Sequence, residues 1–348
     1  MSLTTRANLL LVLTALIWGL GFVAQRLGAD HMGAMSFNAV RFAIGAASLL
    51  PLIWWLSRQR RRRAAALAVY PEPPAGRVSA PAAHPSRSPW LPGLVVGLVL
   101  FSAATLQQIG IADTTAGKAA FITGLYLLIV PLIGLALGSR VSPAVWVGIA
   151  LALPGLWLLS VTGAGFGTIA TGDLLVLASA VFWAIHILVI DRFIRTVDAL
   201  QLSAVQFGSC ALLSAGAALL VEPDPFGGMR PALTAILYSG LVAVGVAYTL
   251  QVVAQRNAKP SHAALLLSLE TVFGALGGWL ILSEVMTGRM LLGATLMMAG
   301  ILVSLRGTES RVQPVPETVD HPGPDPVAQT RARTPRAGSA GTRTDGPG

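Results

Sequence analysis

The stretch His262-Ala-Ala-Leu-Leu-Leu-Ser-Leu-Glu270-Thr-Val-Phe-Gly-Ala-Leu-Gly-Gly-Trp-Leu-Ile-Leu282 decides how the rest of the chain is read. From Ala263 to Leu282 it is apolar enough to cross a bilayer, which takes roughly 20 such residues. Yet it carries a full carboxylate, Glu270, early in the run. An acidic side chain in hydrocarbon costs about 2.5–3.5 kcal/mol on insertion scales. Such a residue therefore faces a protein interior or a wet cavity, which a single span cannot supply.

Composition extends this reading to the whole chain. Of 348 residues, 54% are hydrophobic and 11% charged, against about 25% charged in a soluble domain. The fold class is an all-α polytopic membrane protein. Apolar runs bounded by charge, Pro or Gly predict ten transmembrane helices. They lie near 9–26, 35–56, 91–111, 118–138, 143–161, 173–190, 199–221, 231–255, 261–282 and 288–305. The first run follows Arg6 like a signal peptide, but it continues without a small-residue cleavage site and reads as an uncleaved helix. Two segments lack the apolar content for a core: 57–89, which opens with Arg58, Arg60, Arg61, Arg62 and Arg63 and is rich in proline, and 307–348, rich in Pro, Gly, Thr and Arg. Both are expected to be disordered.

The net charge of +9 is carried mostly by arginine in connections, which points to topology and not to nucleic acid. With both termini cytoplasmic, only Arg26, Arg41, Lys118, Arg230 and Arg289 of the 24 basic residues fall outside cytoplasmic segments. That bias orients the chain. Its single cysteine, Cys210, excludes an intramolecular disulfide framework and a cysteine metal cluster.

The chain also reads as a duplication. A shift of 165 places Trp18 on Trp183 and Ala39-Val40-Arg41-Phe42 on Ala204-Val205-Gln206-Phe207. A shift of 144 places Thr105-Leu106-Gln107 on Thr249-Leu250-Gln251 and Ala119-Ala120 on Ala263-Ala264, and a shift of 145 places Gly148 and Gly155 on Gly293 and Gly300. Each half then holds five helices. Five is odd, so the second copy enters from the opposite side, giving two inverted five-helix repeats. Inverted repeats around a midplane site are a common transporter architecture.

Several segments resemble the EamA family of the drug/metabolite transporter superfamily. Ala15-Leu-Ile-Trp18-Gly-Leu-Gly21-Phe22, Phe37-Asn-Ala-Val-Arg41-Phe42, Gly117-Lys-Ala-Ala-Phe121-Ile-Thr-Gly124-Leu-Tyr126 and Leu128-Ile-Val-Pro131-Leu are similar to its first repeat. Ala264-Leu-Leu-Leu-Ser-Leu-Glu270-Thr-Val-Phe273 through Leu282-Ser-Glu284 is similar to its second. The resemblance implies repeats over 8–161 and 172–306 and a tail over 307–348. It also implies a secondary carrier of the bacterial inner membrane, exporting an amino acid, metabolite or drug. Thr271 stands where the family has proline, which implies a weaker helix break there. Ser139 stands where the family often has Glu, and Glu284 keeps that residue in the second half.

No enzyme motif is present: there is no HExxH, P-loop, GxSxG in a strand–helix context or pair of carboxylates within a span. No cofactor or metal is expected, and neither is direct drive by ATP. Gly93-x3-Gly97, Gly134-x3-Gly138 and Gly274-x3-Gly278 suit close helix packing. The candidate binding or coupling residues are Glu270, Arg41, Gln107, Tyr126, His186, Tyr248, Gln251, Trp18 and Trp183. Glu270 could carry a proton, bind an ammonium or pair structurally with Arg41. Arg41 could bind a carboxylate or snorkel to headgroups. His186 could relay protons or bridge helices. Gln107, Gln108, Tyr248, Gln251 and Gln255 form a polar stripe on helices three and eight, open to the same two readings. Trp18 and Trp183, with Tyr126 and Thr123, offer an aromatic wall or, for the tryptophans, interfacial anchors. The partners implied are a small-molecule solute, the lipid bilayer and protons. The competing reading is a non-transporting membrane sensor, scaffold or integral enzyme.

Overall fold

The computed structural model describes residues 3–69, 88–114, 116–160, 170–281 and 286–309. The tail from 310, the segment 70–87 and Glu284 lie outside the described residues. Every regular element among the described residues is helical. In order they are α1 (Leu3–Ala29), α2 (Ala34–Val69), α3 (Trp90–Ala112), α4 (Ala116–Gly124), α5 (Tyr126–Ala136), α6 (Pro143–Ser160), α7 (Thr171–Phe193) and α8 (Ala199–Val221). Then come α9 (Leu233–Leu237), a π-helical segment (Tyr238–Tyr248), α10 (Thr249–Ala254), α11 (Pro260–Leu267), α12 (Glu270–Ile281) and α13 (Gly288–Glu309).

All ten expected helices are present. Eight are long and apolar enough to cross a membrane. Pro143–Leu158 is apolar but shorter, and the helix that carries Glu270 is divided into α11 and α12. This division corrects the expectation of a weak break at Thr271. Proline is not needed, because Ser268 Oγ donates to the Leu265 carbonyl at 2.8 Å, a back-bond that bends helices. The amides of Leu269 and Thr271 then bond three residues back, to Leu266 and Ser268, both at 3.2 Å. A milder break separates α4 from α5, where the Leu125 amide bonds to the Ile122 carbonyl at 3.2 Å. Leu125 precedes Tyr126 as Leu269 precedes Glu270, so the two breaks coincide under the 144-residue shift.

A second correction concerns 57–89. The helix does not end at the arginines but runs on to Val69. Arg, Gln, Ala and Leu dominate the run from Arg58 to Val69, and all are strong helix formers. Low hydrophobicity was the wrong signal to weigh there.

Small residues set the packing. α6 lies against α13 and α2 against α8. Gly148 approaches the Gly300 carbonyl and Gly155 the Gly293 carbonyl, so that an added Cβ would come within 2.7 and 2.6 Å of those oxygens. The two helices therefore run antiparallel. Gly93 and Gly97 pack against Val205 and Ser209 of α8, as the small-residue spacing predicts. Gly138 does not pack: it adopts φ +80° at the end of α5 with nothing near its Cβ position, which is a helix-terminating role. Gly155→Leu is expected to lower the thermal midpoint of the purified protein, because overpacking costs about 1–3 kcal/mol or more. Gly208→Ala, whose added Cβ meets nothing within 4 Å, is the control and is expected to leave the midpoint unchanged or raised.

Three side chains join α1 and neighbouring residues to the π-helical region. Thr14 Oγ1 donates to the Ala247 carbonyl (3.2 Å) and Trp18 Nε1 to the Ala243 carbonyl (3.1 Å), while Tyr238 Oη donates to the Ile17 carbonyl (2.8 Å). The i→i+5 turn is rare in long runs and recurs at functional sites. Here it sets Ser239, Ala243, Val244 and Tyr248 along one face.

Candidate functional site

That face is one wall of a cavity between the helices. α1 supplies Trp18, Gly21, Phe22 and Gln25; α2 supplies Arg41; α3 and α4 supply Gln107 and Thr123. Trp183 and Ile187 come from α7, and Gln251 and Leu267 from α10 and α11. The two helix breaks deliver Tyr126 and Glu270, each the first residue of its half-helix. Eight of the nine candidate residues thus meet in one place.

The exception is His186. It is fully buried, its Nε2 is 2.9 Å from Gln206 Oε1, and its ring meets Trp183 and Tyr248 edge-on, with centroids 5.8 and 6.1 Å away. It stands behind the cavity wall and bridges α7 to α8. Gln206, the repeat mate of Arg41, is its partner. Of the expected glutamine stripe, Gln107 and Gln251 reach the cavity. Gln108 instead donates to the Gln25 carbonyl (3.1 Å) and Gln255 to the Ile187 carbonyl (2.9 Å). Gln25 and Ser239 are lining residues that the sequence reading passed over. Gln25 is an amide inside an apolar run, which was a usable signal. A lone serine such as Ser239 is too common in membrane helices to stand out.

Tyr248 is the hub of the aromatic wall. Its ring centroid lies 4.5 Å from that of Trp18, 6.0 Å from Trp183, 6.1 Å from Phe42 and 5.9 Å from Phe207. The 165-residue shift superposes Trp18 on Trp183 and Phe42 on Phe207, and both pairs converge on one phenol. The tryptophans are therefore not interfacial anchors.

The charges are held apart. Arg41 is 4% exposed, with its guanidinium carbon 4.9 Å from the Phe42 ring centroid and 5.5 Å from that of Phe37. That burial excludes snorkelling to headgroups. Its Nε has no hydrogen-bond partner. Glu270 is also 4% exposed, and its carboxyl interacts with the Tyr126 hydroxyl. That contact falls short of a closed hydrogen bond, because Tyr126 Oη and Glu270 Oε1 both remain unpartnered. Among the described residues Arg41 and Glu270 form no ion pair, so the structural pair does not form. Gln107 Nε2 donates to Thr123 Oγ1 at 3.1 Å and holds the wall beside them. Both a guanidinium and a carboxyl group, each with unused hydrogen-bonding capacity, therefore face one apolar-walled space. No cluster of metal-ligating side chains occurs among the described residues.

Comparison with known proteins agrees with this geometry. A family model described as the EamA-like transporter family matches residues 5–72 and 170–306. An uncharacterized transporter of Archaeoglobus fulgidus is 30% identical over 303 residues, spanning 86% of this chain and 86% of its own. The uncharacterized transporter YwfM of Bacillus subtilis is 27% identical over 307 residues, spanning 85% of this chain and 92% of its own. A solved crystal structure superposes with a TM-score of 0.67 at 22% identity, covering 88% of this chain and 99% of that one, a likeness of fold. With its bundle of membrane helices, its central cavity and these matches over most of its length, the chain belongs to the EamA-like transporter family, whose members carry solutes across membranes and are not enzymes.

Proposed function

We propose that this transporter is a secondary exporter of small organic solutes, built as inverted repeats over 8–161 and 172–306 and working by alternating access with proton exchange. The observation that carries the reading is the pair of ionisable groups, Arg41 and Glu270, that line one aromatic-walled cavity with unpartnered polar atoms. Solutes bearing both a carboxylate and an ammonium, of which amino acids are the simplest, complement that pair. Arg41 Nε lacks an acceptor and Glu270 Oε1 lacks a donor. Burying either charge without a partner is unfavourable, so a zwitterion relieves both at once.

The inverted arrangement is supported by reciprocity. Gly148 meets Gly300 and Gly155 meets Gly293, and under the repeat correspondence each contact maps onto the other. A two-fold relation between halves produces such pairing. One half then rocks against the other around the shared site. The arginine distribution supports cytoplasmic N- and C-termini; the bacterial inner membrane is part of the same proposal. Glu270 is the candidate proton carrier, since an ionisable group within a span marks a pathway.

The test is transport in proteoliposomes. Counterflow with a panel of amino acids, amines and carboxylates is expected to favour solutes carrying both charges, with an imposed pH gradient accelerating flux. Absence of flux for the whole panel, with and without a pH gradient, overturns the reading.

A further inference from the structure

We propose that the end of α2 beyond Trp54 is a binding site for the headgroups of anionic phospholipids. α2 has 36 residues, about 54 Å at 1.5 Å per residue, against a hydrocarbon core of about 30 Å. Its apolar part ends at Gln59 and the helix continues to Val69, so the last turns stand clear of the hydrocarbon. Trp54 and Trp55 are 56% and 52% exposed. They lie where the apolar surface gives way to charge, the position of an interfacial aromatic belt.

The guanidinium carbon of Arg58 sits 4.1 Å from the Trp54 ring centroid. This cation–π contact holds it at the level of the indole, where headgroup phosphates lie. Arg61 and Arg62 are exposed and stand three and four residues further on, the same helix face one turn higher. Among the described residues none of the three pairs with a carboxylate. From Ser57 to Val69 the sequence contains no Asp or Glu. Guanidinium groups bind phosphate in bidentate fashion.

The occupant is a lipid and not a soluble acidic partner, because the arginine face continues from the bilayer-facing surface without interruption. The exposed side chains of Leu50, Trp54 and Trp55 lead directly into it. A basic cluster immediately beyond a membrane helix attracts anionic lipids at about fivefold in affinity per residue. Three arginines together give on the order of 100-fold. With the N-terminus cytoplasmic, as proposed above, the site serves the inner leaflet. The binding itself does not depend on that orientation or on any transported solute.

The experiment uses the purified full-length protein in detergent, titrated with phosphatidylglycerol or phosphatidylcholine and read by native mass spectrometry and by thermal shift. The wild type is expected to retain phosphatidylglycerol preferentially, and added salt to weaken that retention. Arg58→Gln, Arg61→Gln and Arg62→Gln combined should lose on the order of 100-fold in apparent affinity. The corresponding triple Arg→Lys variant should keep part of it, since charge remains while the planar fork is lost. This second variant decides the matter if the first fails to fold. Equal retention of the two lipids by the wild type overturns the proposal, as does unchanged phosphatidylglycerol retention in the glutamine variant. Complete displacement by equimolar inorganic phosphate or by an oligonucleotide also overturns it, in favour of a free-anion or nucleic-acid surface. Counterflow retained in the glutamine variant separates loss of this site from failure of the transport reading.

Discussion

Glu270→Gln is expected to abolish the acceleration of transport by a pH gradient while leaving the protein folded. The carboxyl is buried, opens on the cavity and forms no ion pair among the described residues. Glutamine keeps its volume and can still meet the Tyr126 hydroxyl, but it cannot exchange a proton. Breaking a buried ion pair by removing one partner costs about 3–5 kcal/mol. No such pair exists to be broken, so the thermal midpoint should hold or rise. Affinity for ammonium-bearing solutes should fall by roughly 10- to 150-fold, the loss of a hydrogen bond to a charged group. Carboxylates without an amine should be little affected. The measurement is uptake into proteoliposomes with and without an imposed gradient. Stimulation equal to that of the wild type would exclude Glu270 as the proton carrier, and a destabilisation of several kcal/mol would reveal a structural role in its place.

The complementary variant is Arg41→Ala. It should weaken solutes with a carboxylate by the same roughly 10- to 150-fold and leave their decarboxylated amines almost untouched. Arg41→Lys should not restore binding. An ammonium is a point charge, whereas the guanidinium is a planar fork lying near the rings of Phe37 and Phe42. Competition of labelled solute by matched pairs of analogues measures both effects. If amines and their parent amino acids weaken in parallel, Arg41 supports the cavity wall and does not bind the carboxylate.

The helices were legible in the sequence because hydropathy acts over long windows. The ten apolar runs became ten helices, and the glycines superposed by the 145-residue shift lie against each other across α6 and α13. Features decided by single turns were not legible. The break before Glu270 depends on Ser268 bonding back to Leu265, which no periodicity encodes. The π-helical segment depends on how α1 packs against it through Thr14, Trp18 and Tyr238, a tertiary effect. Helix propensity beyond Gln59 was visible in the residues themselves but was outweighed by their charge.

Four of the candidate residues related by the sequence shifts lie at the cavity. Trp18 with Trp183 and Gln107 with Gln251 all reached the cavity. His186 lies behind the wall, because a polar residue in a span has two addresses, the cavity or a neighbouring helix, and only the helix rotation separates them. Gln108 and Gln255 miss the cavity for the same reason, each donating to a backbone carbonyl instead. Arg41 and Gln206, which the 165-residue shift superposes, have different surroundings: one faces the cavity and the other bonds the histidine behind its wall.

The aromatic hub around Tyr248 also gives the protein an optical probe of its own. Two indoles, Trp18 and Trp183, sit within 6.0 Å of one phenol at the edge of the cavity. A solute entering there changes the polarity at both rings together, so titration followed by intrinsic fluorescence should report occupancy without a label. Replacing Trp18 and Trp183 by Phe should remove that signal while the emission of the exposed Trp54 and Trp55 persists as an internal reference.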